Sequence, residues 1–217
     1  MKLKALTLSA LTLVAAASMS YGDIVYGSGA LTTTDPTFVN PGGATTGTGR
    51  HYYDVYPLTV SATGTYIFEL SSLNTGGATS NALDTFLRIY ANTFHPLAPG
   101  AGQASNDDFS GALTVLPGPF AGIGLTSTAT GFTGNQPSSR LGTVSLTAGT
   151  TYFMVVTSFR ETNFVGTGTT ARQTGNYYYG ISGPGVITVV PEPTSVALLG
   201  IGAVALGYGA WRKRKRA

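Results

Sequence analysis

Tyr66, Phe68 and Leu70 stand at alternate positions of Thr65–Leu70, the spacing that sends every second side chain to one face of a strand. Short clusters of β-branched and aromatic residues recur from Tyr52 onward, each cut off by a turn containing Gly or Pro. That punctuation belongs to an all-β sandwich or barrel, not to a helical bundle. The predicted strands are Tyr52–Val60, Thr65–Leu70, Thr85–Ala91, Leu113–Leu116, Arg140–Leu146, Thr151–Phe159 and Asn176–Ser182, with Val186–Val190 as a further one. Thr151–Phe159 is apolar on both faces and should lie centrally. The expected fold is an antiparallel, jelly-roll-like β-sandwich. Residues 58–68 echo residues 144–154, each a strand, a Gly turn and a second strand opening near a Tyr, which reads as recurring hairpins. Asn74–Asn81, Pro117–Pro137 and Gly166–Gly175 read as loops, and Asn40–Gly49 as a mobile lead-in.

The two ends obey other rules. Lys2 and Lys4 precede an uncharged stretch from Ala5 to Ala17, too short to span a bilayer comfortably. Ser18-Met19-Ser20 then fits the small-x-small cleavage rule, with Ser20-Tyr21-Gly22 as an alternative. Residues 1–22 therefore read as a signal peptide, 23–51 as an extended segment, 52–190 as the sandwich and 191–217 as a separate C-terminal signal. In that last part, Pro191-Glu192-Pro193 is followed by an apolar run from Val196 to Trp211, the expected transmembrane helix. Arg212, Lys213, Arg214, Lys215 and Arg216 close the chain as a cytoplasmic membrane stop. Five adjacent cations exclude a buried core helix, because no interior could pair them.

These ends also distort the charge. Of 12 Lys and Arg residues, seven lie in the targeting segments. The stretch 23–190 holds five arginines, no lysine and eight carboxylates, a net of −3. No basic patch is left to neutralise phosphates, so nucleic acid is excluded as a partner. The chain has no cysteine, which removes disulfides, thiol catalysis and thiolate zinc sites.

Val190-Pro191-Glu192-Pro193-Thr194-Ser195, the apolar run and the basic end together resemble the PEP-CTERM sorting signal of Gram-negative bacteria that build an extracellular polysaccharide matrix. The resemblance implies passage through the secretion translocon, cleavage by signal peptidase, a stay in the inner membrane, and processing near Pro191, Glu192 and Pro193 by an exosortase-type protease. It also implies delivery to the cell surface or extracellular matrix.

A second resemblance rests on Asp84-Thr85-Phe86-Leu87-Arg88-Ile89-Tyr90, Asn106-Asp107-Asp108, Ser139-Arg140-Leu141, Gly149 to Val156 and Gly175 to Tyr179. In that order they are similar to a bacterial pre-peptidase C-terminal-type domain, a small β-sandwich of exported proteins. Some such domains bind calcium. Asp84, Asn106, Asp107 and Asp108, with Ser110, are accordingly candidate Ca²⁺ ligands, since hard cations take carboxylate and amide oxygens. The alternative is an Asx-rich turn bonded to its own backbone.

No Gly-x-Ser-x-Gly elbow and no HExxH helix occurs, and no catalytic residue is assigned. His51 and His95 read as loop residues, and Glu69 and Glu161 as solvent-facing strand residues. Tyr177 and Tyr179 should share one face and Tyr178 the other, where an aromatic ring suits either sheet packing or a sugar. The expected function is a non-enzymatic structural or adhesive one, associated with polysaccharide. The alternatives are a secreted enzyme or calcium-dependent carbohydrate-binding accessory, and a permanently anchored surface protein.

Overall fold

The computed structural model describes residues 22–41, 49–72, 83–109, 113–116, 138–162 and 173–190. The signal peptide, Pro191–Pro193, the apolar run, the basic end and most of the three expected loops lie outside the described residues. The described residues form ten strands: β1 (Asp23–Leu31), β2 (Thr37–Val39), β3 (Arg50–Val60), β4 (Gly64–Ser72), β5 (Thr85–Ala91), β6 (Ala104–Asn106), β7 (Ser138–Leu146), β8 (Thr151–Ser158), β9 (Gly175–Gly183) and β10 (Ile187–Val189). All pairings are antiparallel. No helix among the described residues is long and apolar enough to cross a membrane.

One sheet runs β1-β9-β4-β7 and the other β10-β3-β8-β5-β6, with β2 added beside β3. Strands close in sequence therefore mostly belong to opposite sheets. Two stretches differ from expectation. Residues 23–41, expected to be part of an extended segment ahead of the sandwich, belong to it: β1 pairs along its whole length with β9, and β2 pairs with β3. Leu113–Leu116 forms no strand but an irregular segment with Leu113, Val115 and Leu116 buried.

The core follows from alternation. Tyr66, Phe68 and Leu70 of β4 turn inward, as their spacing requires, against Leu58, Leu87, Ile89 and Met154 of the facing sheet. β8 lies between β3 and β5, and both its faces are covered. Tyr152, Met154 and Val156 enter the inter-sheet core, while Val155 and Phe153 join Phe38, Tyr53, Tyr90 and Phe94 in an aromatic cluster on the other side. There the rings meet edge-on, Phe38 to Tyr53 at 5.2 Å and Phe38 to Phe94 at 5.7 Å between centroids.

The echo between residues 58–68 and 144–154 has a different meaning from paired hairpins. β3 and β4 lie in different sheets, as do β7 and β8, so each echo is a corner that carries the chain across the sandwich. The two corners clasp each other: the Gly149 N–H donates to Val60 O at 3.1 Å and the Ala148 N–H to Thr63 Oγ1 at 2.9 Å. Each corner is also tied by the Tyr that follows it. Tyr66 Oη donates to Ala62 O at 2.7 Å, and Tyr152 Oη accepts the Thr147 N–H at 2.8 Å. The connection from β9 to β10 packs on the same end, with the Ser61 N–H on Val186 O at 3.0 Å. Gly183 is required there because a Cβ would lie 1.9 Å from the Tyr66 ring.

Gly183→Ala should therefore destabilise the protein by about 1–3 kcal/mol, the usual cost of forcing extra atoms into a packed site. Urea denaturation followed by far-ultraviolet circular dichroism measures it; an unchanged midpoint would contradict the packing of Tyr66 on Gly183.

Candidate functional site

Two buried carboxylates organise the region where β5, β6 and β7 meet. The first is Glu69, on the outward-facing row of β4. Its neighbours across the sheet are Gly180 of β9 and Arg140 of β7. Residues 113–116 lie over this row. Glu69 Oε1 accepts the Thr114 N–H at 2.8 Å, and Oε2 accepts the Val115 and Leu116 N–H groups at 2.7 and 2.9 Å. Arg140 Nε approaches Oε1 to 3.2 Å as an ion pair without hydrogen-bond alignment. The segment can descend this far only because residue 180 is Gly, whose Cβ would sit 2.9 Å from Val115 Cγ1. Glu69 is thus a buried anchor and not the solvent-facing residue its strand position suggested.

The second is Asp84, 1% exposed just before β5. Its Oδ2 accepts Arg160 Nε at 2.9 Å, and its backbone O accepts the Phe159 N–H at 2.9 Å. Arg160 is placed by His51, which is fully buried on β3 and not on a loop. His51 Nδ1 lies 2.9 Å from Ser158 O and 3.0 Å from Arg160 O. Two carbonyl neighbours require that this nitrogen carry the proton. Glu161 is buried as well and accepts the Gly49 N–H at 3.1 Å. His95 lies on the exposed turn expected of it.

Asp107 and Asp108 follow β6 and come to Asp84 through a loop zipped onto β7. Asn106 Oδ1 accepts the Arg140 N–H at 2.9 Å, the Phe109 N–H donates to Ser138 O at 2.8 Å, and Ser139 Oγ lies 2.7 Å from Asp107 O. Carboxylate oxygens of Asp84, Asp107 and Asp108 all fall within 4.8 Å of one another. Asn106 Oδ1 serves the joint to β7, and Ser110 lies outside the described residues. Asp84 Oδ1 and Asp107 Oδ1 are buried without a hydrogen-bond partner. Burial pushes the Asp84 carboxyl up to about 7, helped by the Asp108 charge and opposed by Arg160. It pushes Asp107 up to about 8, with the charges of Asp84 and Asp108 adding to the effect.

Two of the three adjacent tyrosines of β9 serve packing. Tyr177 and Tyr179 are buried and Tyr178 is half-buried, as alternation predicts. Tyr177 Oη donates to Asp54 Oδ2 and meets Tyr56 Oη at 2.6 Å.

Residues 189–215 match the PEP-CTERM protein-sorting motif. The match covers the C-terminal signal and, of the described strands, reaches only Val189 at the end of β10. No curated protein matches the chain.

Replacing Glu69 by Ala leaves three backbone N–H groups and Arg140 without their carboxylate, and should cost about 3–5 kcal/mol. Chemical denaturation measures that loss. The acidic cluster makes a separate expectation for chelator-treated protein. Asp84 and Asp107 bind protons more tightly folded, at about 7 and about 8, than at the unfolded value of 3.8. Their contribution is then full below about pH 4 and is lost as pH rises through about 7 to 8. The melting temperature should fall between pH 5 and pH 8.5, and Asp107→Asn should flatten that slope. A slope unaffected by the substitution would count against the burial of this pair.

Proposed function

We propose that the protein is an exported, non-enzymatic β-sandwich, delivered to the cell surface or extracellular matrix, where it has a structural or adhesive role in contact with polysaccharide. The observation that carries this reading is the PEP-CTERM match at residues 189–215, which implies export and exosortase-type sorting at the membrane. The match begins on the sheet itself. Val189 is the last residue of β10, and the Val190 N–H donates to Pro57 O at 2.8 Å, one residue before Pro191. The sandwich thus comes to the processing protease with its last strand adjoining the motif. Supporting the non-enzymatic reading, His51, Glu69 and Glu161 are all buried and hydrogen-bonded to backbone groups, a structural use of the side chains best suited to acid–base work. The polysaccharide contact is inferred from the sorting route.

Intact-mass measurement of the protein from cells and from medium tests the route. The released form should begin near Tyr21 to Asp23 and end near Pro191–Pro193, without Arg212–Arg216. Changing Pro191, Glu192 and Pro193 together to Ala should trap the full-length tail in membranes. A wild-type tail that stays intact and membrane-bound would instead establish a permanent anchor.

A further inference from the structure

We propose that Asp84, Asp107 and Asp108 bind one hard divalent cation of the calcium type, at the joint where β5, β6 and β7 meet. Three carboxylates with oxygens inside 4.8 Å of each other match the span across a cation whose oxygen ligands lie about 2.3–2.6 Å away. Electrostatics point the same way. Arg160 supplies one positive charge against three carboxylates and donates to Asp84 Oδ2 at 2.9 Å. Asp84 Oδ1, on a side chain almost wholly removed from water, and the buried Asp107 Oδ1 have no hydrogen-bond donor. Leaving such acceptors unmatched is costly, and a cation is the partner that satisfies both at once.

The ligand types select the ion. The cluster consists of carboxylates alone, without imidazole or thiolate, and oxygen-only sets favour calcium or magnesium over transition metals. Asp108 is the exposed member, so water can complete the six to eight oxygens that calcium takes. The site is also held in place beforehand. Asn106 and Asp107 are hydrogen-bonded to β7, while Asp84 is fixed through Arg160, itself oriented by His51. A bound ion would join the entrance of β5 to the loop after β6, which is itself hydrogen-bonded to β7 of the other sheet. A proton shared between Asp84 and Asp107 would satisfy the same oxygens, and is the rival that the experiment separates.

The test uses the full chain, purified in detergent and stripped with chelator. Equilibrium dialysis against CaCl₂ should give one ion per chain, with a Kd of about 10⁻⁴–10⁻³ M, the range of extracellular modules. CaCl₂ should also raise the melting temperature. Asp108→Asn alters an exposed residue and keeps its shape, so it should fold while weakening calcium binding by at least about tenfold. Circular dichroism confirms the fold of the variant. No saturable binding at calcium about tenfold above the upper end of that range would overturn the site and leave the shared proton. Unchanged binding by Asp108→Asn would show that the ion sits elsewhere and overturn the assignment equally.

Discussion

Almost every connection in this sandwich crosses from one sheet to the other. Among the described residues, only β2 with β3 and β5 with β6 are consecutive strands that pair, so each sheet is assembled from strands distant in sequence. Such pairing carries a loop-closure cost before it yields any burial, and the chain has no disulfide to offset it. What holds the crossings together is the set of corners at one end. There Tyr66 and Tyr152 bond back to the turns before them, and the corner backbones bond to one another. The close approach of Gly183 to Tyr66 lets the β9–β10 connection join the same end. β10 is thereby seated against β3, and its final residue, Val189, opens the sorting match.

At the edge formed by β5, β6 and β7 the two sheets are joined by polar groups, the Arg140 N–H donating to Asn106 Oδ1 and Ser139 Oγ to Thr85 O, and two buried carboxylates lie beside this joint. Glu69 gathers backbone N–H groups of residues 114–116, and Asp84 holds Arg160. Each works because a carboxylate that has lost its water must recover hydrogen bonds from fixed donors. The two sites differ in how far that recovery goes. Both oxygens of Glu69 are occupied, and its role is structural. Asp84 and Asp107 each retain one unmatched buried oxygen, and that residual demand for positive charge distinguishes the proposed cation cluster from the Glu69 anchor.

The strands themselves were legible from local pattern. Thr85–Ala91 coincides with β5, and Tyr52–Val60, Arg140–Leu146 and Thr151–Phe159 fall within a residue or two of β3, β7 and β8. Alternation also placed Tyr66, Phe68 and Leu70 in the core and Tyr177 opposite Tyr178. Leu113–Leu116 misled because three apolar residues in a row of four satisfy a buried clamp as well as a strand. His51, Glu69 and Glu161 misled because their polarity suggested solvent, whereas each meets a backbone partner 45 or more residues away. The corners misled in a different way: a Gly turn between two strands looks the same whether they pair or diverge into separate sheets.

The sequence by itself determined the address at its C-terminus and the face on which most strand residues lie, because a membrane signal and a two-residue repeat are both local properties of a chain. Tertiary structure alone decided which sheet each strand joined, how Tyr66 and Tyr152 came to close equivalent corners, and which carboxylates were withdrawn from water. Asp84, Asp107 and Asp108 were grouped as candidate ligands from the sequence, and it is the fold that brings their carboxylates together across more than twenty residues of chain. These outcomes depend on burial and on long-range hydrogen bonding, and neither has a period that can be read along the chain.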